Sequence, residues 1–261
     1  ITAEPTLTTS SNNTSDASGL YKSTATNTGD PTYYFRGNVE NNYVSFAGFT
    51  WRIVRINEDG TVRIIMQDGI NNNTQYVFNS NYNSYNYMYY TNSEAKTALD
   101  NWYKINIGSK QDLTVKLVSG NYYCEQAKTK YSDIYTTGNA TMITYTDYIP
   151  NFKCETDGNG KGLVNASIGL PTYDEVVYAG GYYGRSNNNY YLYNSSIYWW
   201  TMSPTGFVAD SSNVWNISNM GNFYSNDRVY NYYCLRPILI LKSDTQISSG
   251  NGTKDNPFVV E

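Results

Sequence analysis

The sequence predicts an α+β fold, and three observations carry that prediction. Apolar residues alternate with a period of two between Thr32 and Met66. Two capped segments repeat apolar residues at intervals of three and four, and β-rich runs return toward the C-terminus. With 261 residues the chain exceeds the ~100–200 of a usual domain, yet mixed and all-β domains reach ~250 as one unit. The expected division is a lead or tether over residues 1–31 and a single domain over residues 32–261.

The lead is rich in Thr, Ser, Asn and Ala without an apolar period, so it cannot bury enough surface to offset its ordering entropy. Structure is expected to begin near Tyr33. Phe49-Thr50-Trp51-Arg52-Ile53-Val54-Arg55-Ile56 and Val62-Arg63-Ile64-Ile65-Met66 read as strands separated by the hairpin signal Asn57-Glu58-Asp59-Gly60, within an antiparallel meander of three or four strands. Arg52, Arg55 and Arg63 need no functional reading, because alternate positions of a half-exposed strand face water. From Asp68 to Tyr90 a tract of Asn, Tyr and Ser, including Asn71-Asn72-Asn73, reads as a long loop.

Asn92 or Ser93 can cap a helix carrying Ala95, Ala98, Leu99, Trp102 and Tyr103, which ends by Gly108. A second helix runs from Pro171 to Tyr178. Thr172 is its N-cap, Glu175 completes a capping box three residues on, and Gly180-Gly181 is the stop. After a hairpin-like region over 190–204, Asn213–Ile217, Leu235–Leu241 and Phe258–Val260 read as strands.

Composition narrows function. Net charge is −4 and charged residues are 15% of the chain, so no basic field is available for nucleic acid. No apolar run approaches the ~20 residues that span a bilayer, which argues against membrane insertion of this segment. The start at Ile1 suggests that any signal peptide or anchor has been removed. With 29 tyrosines and few aliphatic residues, the core should be modest and much of the aromatic content superficial. Amides and hydroxyls in place of Lys and Glu suit an extracellular or cell-surface protein.

Cys124 and Cys154 enclose a stretch without strong periodicity, and a bridge between them would stabilise it by roughly 3 kcal/mol on the chain-entropy model. Two buried free thiols are the alternative. Cys234 is left over as a small buried residue. The chain has no histidine, which removes Ser-His-Asp and Cys-His devices and most zinc sites. Asp174 and Glu175 are adjacent on one helix and diverge, so they do not form an acid/base pair. Asp157-Gly158-Asn159-Gly160-Lys161-Gly162 mimics a calcium loop, but Lys161 replaces a ligand and Ile168 is no carboxylate, so a plain turn is the better reading. No cofactor or metal is expected.

The order of landmarks carries a resemblance: Gly169-Leu170-Pro171-Thr172 leading a helix that ends Tyr178-Ala179-Gly180-Gly181, then Ser203-Pro204, Asn213-Val214-Trp215 and Leu235-Arg236-Pro237. It resembles the bacterial C-type lectin-like fold shared by formylglycine-generating-type enzymes and the variable proteins of diversity-generating retroelements. Tyr33-Tyr34-Phe35-Arg36-Gly37, Trp51–Ile56 and Trp199-Trp200-Thr201-Met202-Ser203-Pro204 are also similar to surface proteins of gut Firmicutes. The resemblance implies two helices flanking a twisted, mainly antiparallel sheet with long loops. Its enzymes use paired C-terminal cysteines for copper, or histidines for iron. Only Cys234 lies in that region here, so enzyme activity of either kind is not expected.

The binding members display variable side chains late in the chain. Over Asp210–Tyr233 the expected ligand-binding set is Ser211, Ser212, Asn216, Ser218, Asn219, Asn222, Tyr224, Asn226, Asp227, Arg228, Tyr230, Asn231 and Tyr232, on a frame of Val214, Trp215, Ile217, Met220, Gly221, Phe223 and Val229. Tyr offers rigid amphipathic contact and Asn and Ser adaptable hydrogen bonds, as in antibody loops. Adenine-directed mutagenesis of Asn codons yields such a residue set, so retroelement diversification is compatible with it. Trp199, Trp200 and Trp215 could instead stack on sugars, although Trp on a strand is usually core. The expected function is an extracellular ligand-binding domain, of adhesin or receptor type, for a protein or glycan on a cell or phage surface. A structural pilus-tip or cell-wall decoration domain is the alternative, and an oxidoreductase of the formylglycine-generating type a more distant one.

Overall fold

The computed structural model describes residues 18–127, 149–155, 161–183, 186–208, 210–224 and 227–260. Its first sheet is built outward from β4 (Phe49–Ile56). One edge of β4 pairs in tandem with β3 (Tyr43–Phe46) and β2 (Thr32–Arg36), and the other pairs with β5 (Val62–Met66). β1 (Gly19–Ser23) lies beyond β2, and β14 (Ile238–Leu241) beyond β5. The parallel β16 (Phe258–Val260), followed by β15 (Ile247–Ser249), extends the β3 side.

The second sheet has the order β6-β13-β10-β11-β12-β9, with β6 Gln75–Val77, β9 Tyr182–Tyr183, β10 Trp199–Val208, β11 Ser211–Ile217, β12 Asn222–Tyr224 and β13 Tyr232–Cys234. A two-stranded unit of β7 (Gly120–Cys124) and β8 (Leu163–Ala166) completes the strands, tied to β14 by the bridges Leu117↔Leu241 and Gly169↔Ile238. Among the described residues the helical segments are four short ones: α1 (Ile70–Asn73), α2 (Glu94–Tyr103), α3 (Gln111–Thr114) and α4 (Tyr173–Ala179), besides 3-10 turns and a π-helical continuation of α2 over Lys104–Gly108.

This architecture is predominantly β, which corrects the expected α+β class of two helices flanking one sheet. Strand accounts for 36% and helix for 18%, and the strands divide among three sheets. The physical reason lies in helix length. The Leu-Pro-Thr helix reaches only seven residues before Gly180, at φ 124°, ends it. Ordered structure also begins earlier than Tyr33: β1 pairs with β2 through Leu20↔Phe35 and Tyr21↔Tyr34, and Tyr21 is buried. Residues 1–17 and 156–160, the latter holding most of the Asp157–Gly162 turn, lie outside the described residues.

Local signals behave as their chemistry dictates. Gly60, at φ 81°, closes the β4–β5 hairpin, and Asp59 Oδ1 accepts from Thr61 N at 3.0 Å. Ser93 caps α2 by accepting from Lys96 N at 3.0 Å. The α4 capping box is complete: Thr172 Oγ1 accepts from Glu175 N at 3.2 Å, while Glu175 Oε2 accepts from Thr172 N at 2.9 Å. Cys124 and Cys154 form the expected disulfide, with 5.8 Å between their Cα atoms, and Cys234 is free and buried.

The arginines depart from expectation. Arg52 and Arg63 are buried rather than facing water, as are Arg36 and Arg236. Carbonyls at the end of α4 and in irregular segments make this possible. Arg36 Nη1 donates to Val177 O and Tyr178 O at 2.8 Å each, joining β2 to the end of α4. Arg52 Nη2 donates to Val39 O at 2.7 Å, with its guanidinium over the Tyr43 ring. Arg236 Nη1 donates to Leu192 O at 2.7 Å and lies over Trp199. Arg63 instead pairs with a carboxylate, its Nε 2.5 Å from Glu175 Oε1.

Tyrosine likewise serves the interior. Tyr34, Tyr89, Tyr90, Tyr123, Tyr173 and Tyr190 are at most 2% exposed, which corrects the expectation of a largely superficial aromatic content. The hydroxyls reach carbonyls: Tyr90 bonds Ile168 O at 3.2 Å and Tyr190 bonds Gly221 O at 3.0 Å. For Tyr90 and Tyr190 the cost of burial is offset because the polar tip keeps a partner.

Candidate functional site

The Tyr/Asn stretch is carried by β11 and by the chain that returns along it. β12 pairs with one end through Asn216↔Tyr224 and Ile217↔Phe223. Residues 227–229 then line the other half: Asn213 bridges Arg228, Val214 N donates to Asp227 O at 3.2 Å, and Val229 N donates to Ser212 O at 3.1 Å. A turn closed by Asn231 N to Arg228 O at 2.9 Å leads into β13.

Asp227 anchors that turn. Its Oδ1 accepts from Asn231 Nδ2 at 3.0 Å and from the Tyr233 hydroxyl at 3.1 Å, and its Oδ2 accepts from Asn216 Nδ2. Tyr233 packs against Tyr198 at 5.5 Å and edge-on to Trp200 at 4.8 Å. Burial first, and then the Asp227 charge, push its phenol well above the ordinary value, so it remains a donor. Tyr232, which precedes it on β13, is 63% exposed.

An aromatic cluster stands on this frame. Tyr230 meets Tyr82 edge-on at 5.0 Å. The Arg228 guanidinium lies 5.8 Å from the Tyr230 centroid, and its Nη1 donates to the Tyr230 hydroxyl at 2.5 Å. Tyr82 was no part of the expected site, because the Asn/Tyr tract read as a loop. The tract is in fact laid against β11: Tyr82 O accepts from Ser212 N at 2.8 Å and Ser84 O from the Ser212 hydroxyl. A tyrosine flanked by Asn in that tract, chemically identical to the C-terminal stretch, was the available signal.

The expected ligand-binding residues divide by burial. Tyr224, Arg228 and Tyr232 are exposed, and Asn219, Asn222, Asp227, Tyr230 and Asn231 are partly so. Asn226 lies outside the described residues. Ser211, Ser212, Asn216 and Ser218 are at most 2% exposed, so they are corrected from ligand contacts to framework. The reason is that β11 is covered on both faces, and the side chains bond within the fold: Asn216 to Asp227, and Ser218 Oγ to Asn222 Oδ1. Trp199, Trp200 and Trp215 have no exposed surface, which closes them as sugar platforms.

None of the three concavities described for the molecule is lined by Tyr82, Tyr224, Arg228, Tyr230 or Tyr232. The cluster is accessible at the surface, Tyr82 being 46% and Tyr232 63% exposed, and presents rings and hydroxyls with one cation. Among the described residues no helix is long and apolar enough to cross a membrane.

A family model described as Domain of unknown function (DUF6273) matches residues 59–243, a span that includes the whole tyrosine cluster. No curated protein and no solved structure matches the chain.

Proposed function

The chain belongs to the DUF6273 family, and we propose that it is an extracellular ligand-binding domain of adhesin or receptor type, engaging a protein partner through Tyr82, Arg228, Tyr230, Tyr232 and the neighbouring Tyr224. The observation that carries the reading is the accessible Tyr82–Tyr230–Arg228 cluster on a turn held by Asp227. Tyr and Arg are the residues that most often dominate binding energy at interfaces. A tyrosine fixed by two torsions loses little entropy on contact, and a pre-braced turn loses less still. An exposed cluster outside the three described concavities suits a macromolecule better than a small ligand, which is bound in a concavity.

The disulfide supports an oxidising compartment. Diversification by a retroelement is compatible with the exposed positions alone, since changes at Ser211, Ser212, Asn216 or Ser218 would disturb the packing beneath them. The test is a microarray of extracellular proteins probed with the domain and with a Tyr82→Ala/Tyr230→Ala/Tyr232→Ala variant. The reading expects the variant to lose its signals at least tenfold with an unchanged melting temperature. Undiminished signals would place recognition elsewhere.

A further inference from the structure

We propose a second site: the groove between the Asn71–Asn73 turn and the C-terminal end of α2 binds a neutral glycan. Two concavities of about 620 and 520 Å³ meet there, sharing Asn71, Trp102 and Asn106 as walls. Each falls within the roughly 300–1,000 Å³ of small-ligand sites, and none of their lining residues belongs to the tyrosine cluster.

Rare backbone conformations form both sides of the groove. Asn71, Asn72 and Asn73 have φ of 50°, 56° and 63°, so α1 is a turn of left-handed helix made without glycine. L-residues visit this region as isolated positions rather than in series. Opposite it, α2 passes into the π-helical turn Lys104–Gly108, which carries Asn106 and leaves Ile105 73% exposed. Left-handed strain and π-turns both concentrate at functional sites.

The side chains of the turn distinguish a structural role from a binding one. Asn71 Nδ2 donates to the Tyr76 hydroxyl at 2.7 Å, and Asn73 Oδ1 accepts from Gly69 N at 2.6 Å while its carbonyl accepts from the buried Cys234 thiol at 3.1 Å. These two residues hold the turn in place. Asn72 makes no side-chain hydrogen bond among the described residues and lines the groove. Glycine would adopt its φ more readily, so the fold gains nothing from the Asn72 amide. The amide faces a ligand's space.

Chemistry of the walls sets the ligand class. No Lys or Arg lines either concavity, while Glu94 and Asp68 do, which disfavours anions. The amides of Asn72 and Asn101 can each donate and accept, as do sugar hydroxyls, while Asn106, whose Nδ2 donates to Trp102 O at 2.8 Å, offers its Oδ1 as an acceptor. Ile105, Val77 and Phe49 supply apolar surface for the C–H faces of the rings.

A microarray of neutral glycans, followed by titration calorimetry with the strongest hit, tests the site using wild type, Asn72→Gly and Asn106→Ala. Asn72→Gly should bind at least tenfold more weakly while melting no lower than wild type, a combination that a purely structural asparagine cannot produce. Asn106→Ala should weaken binding too, its melting temperature being recorded because it also loses the bond from Asn106 Nδ2 to Trp102 O. The Tyr82/Tyr230/Tyr232 alanine variant should bind the glycan as wild type does, which separates this site from the tyrosine surface. Absence of any neutral-glycan signal, or equal affinity of Asn72→Gly and wild type, would overturn the proposal.

Discussion

Glu175 stands where three demands on one carboxylate converge, and its removal gives the most direct measure of how this core is held. Oε1 lies 2.5 Å from Arg63 Nε, and Oε2 accepts from Thr172 N at 2.9 Å and from Arg63 Nη2 at 3.3 Å; the two side chains are 3% and 2% exposed. In Glu175→Ala, Arg63 keeps its bond to Tyr122 O at 2.5 Å but loses its countercharge. Breaking a buried pair in this way costs about 3–5 kcal/mol. At roughly 2–4 °C per kcal/mol for a domain of this size, the melting temperature should fall by about 6–20 °C. Glu175→Gln retains an acceptor for Thr172 N, so its smaller loss isolates the charge from the cap. Arg63→Met/Glu175→Leu should recover most of the loss, because an apolar pair of similar volume needs no countercharge.

Urea denaturation at pH 7 supplies the free energies, and the single variants Arg63→Met and Glu175→Leu complete a double-mutant cycle with wild type and the Met/Leu pair. The sign of the pH dependence follows from the carboxyl's environment. Burial alone would raise its pKa, but Arg63, Arg55 and the Thr172 amide outweigh burial and hold it below the ordinary value. The stabilisation is therefore present above the unfolded-state value of about 4.3 and fades as pH falls through the lower folded-state value. The gap between wild type and Glu175→Gln should narrow on acidification. A loss below about 1 kcal/mol for Glu175→Ala, or a gap that widens in acid, would refute the reasoning.

Three further outcomes are expected. Replacing Cys124 and Cys154 by Ala opens a loop with a sequence separation of 30 and should lower stability by roughly 3–4 kcal/mol, read from the urea midpoint with the m-value monitored. Burial, partly offset by Arg236, pushes the Cys234 thiol up to about 11, so the native protein should resist iodoacetamide at pH 8. Without reductant, urea should release one alkylatable thiol. Tyr190→Phe removes the donor to Gly221 O and should cost about 1–3 kcal/mol by leaving a buried carbonyl unmet, with faster amide exchange over residues 218–224.

What could be read from residues alone was short-range. The α4 capping box, the Asp59-Gly60 hairpin, the Ser93 cap and the Cys124–Cys154 bridge each depend on a few neighbours or on one elimination, and each forms. Burial was not legible in the same way. β11 carries polar Ser211, Ser212, Asn213 and Asn216, which read as surface residues, yet every position of the strand is buried, and Tyr82 and Ser84 lie against Ser212 through its amide and hydroxyl. The Asn71–Asn73 turn shows the complementary limit: asparagine permits positive φ but does not demand it, so only the surrounding bonds to Tyr76, Gly69 and Cys234 select it.

The polar interior explains how so loop-rich a chain can present stiff surfaces. Irregular segments carry carbonyls that no ladder satisfies, and burying them unpaired is unfavourable. Here buried arginines and tyrosines reach such carbonyls and those of the last turn of α4: Arg36 at Val177 and Tyr178, Arg236 at Leu192, Tyr178 at Pro150, Tyr190 at Gly221. Each long side chain fixes a segment by hydrogen bond, where an aliphatic residue could only press against it. The same economy continues outward. Asp227, bonded by Asn216, Asn231 and Tyr233, fixes the turn that carries Tyr230, and Cys234 with Gly69 fixes the turn that carries Asn72. The groups proposed for contact at both surfaces are thus held by neighbouring side chains and backbone, so weakening one of those bonds should reduce affinity by loosening the turn.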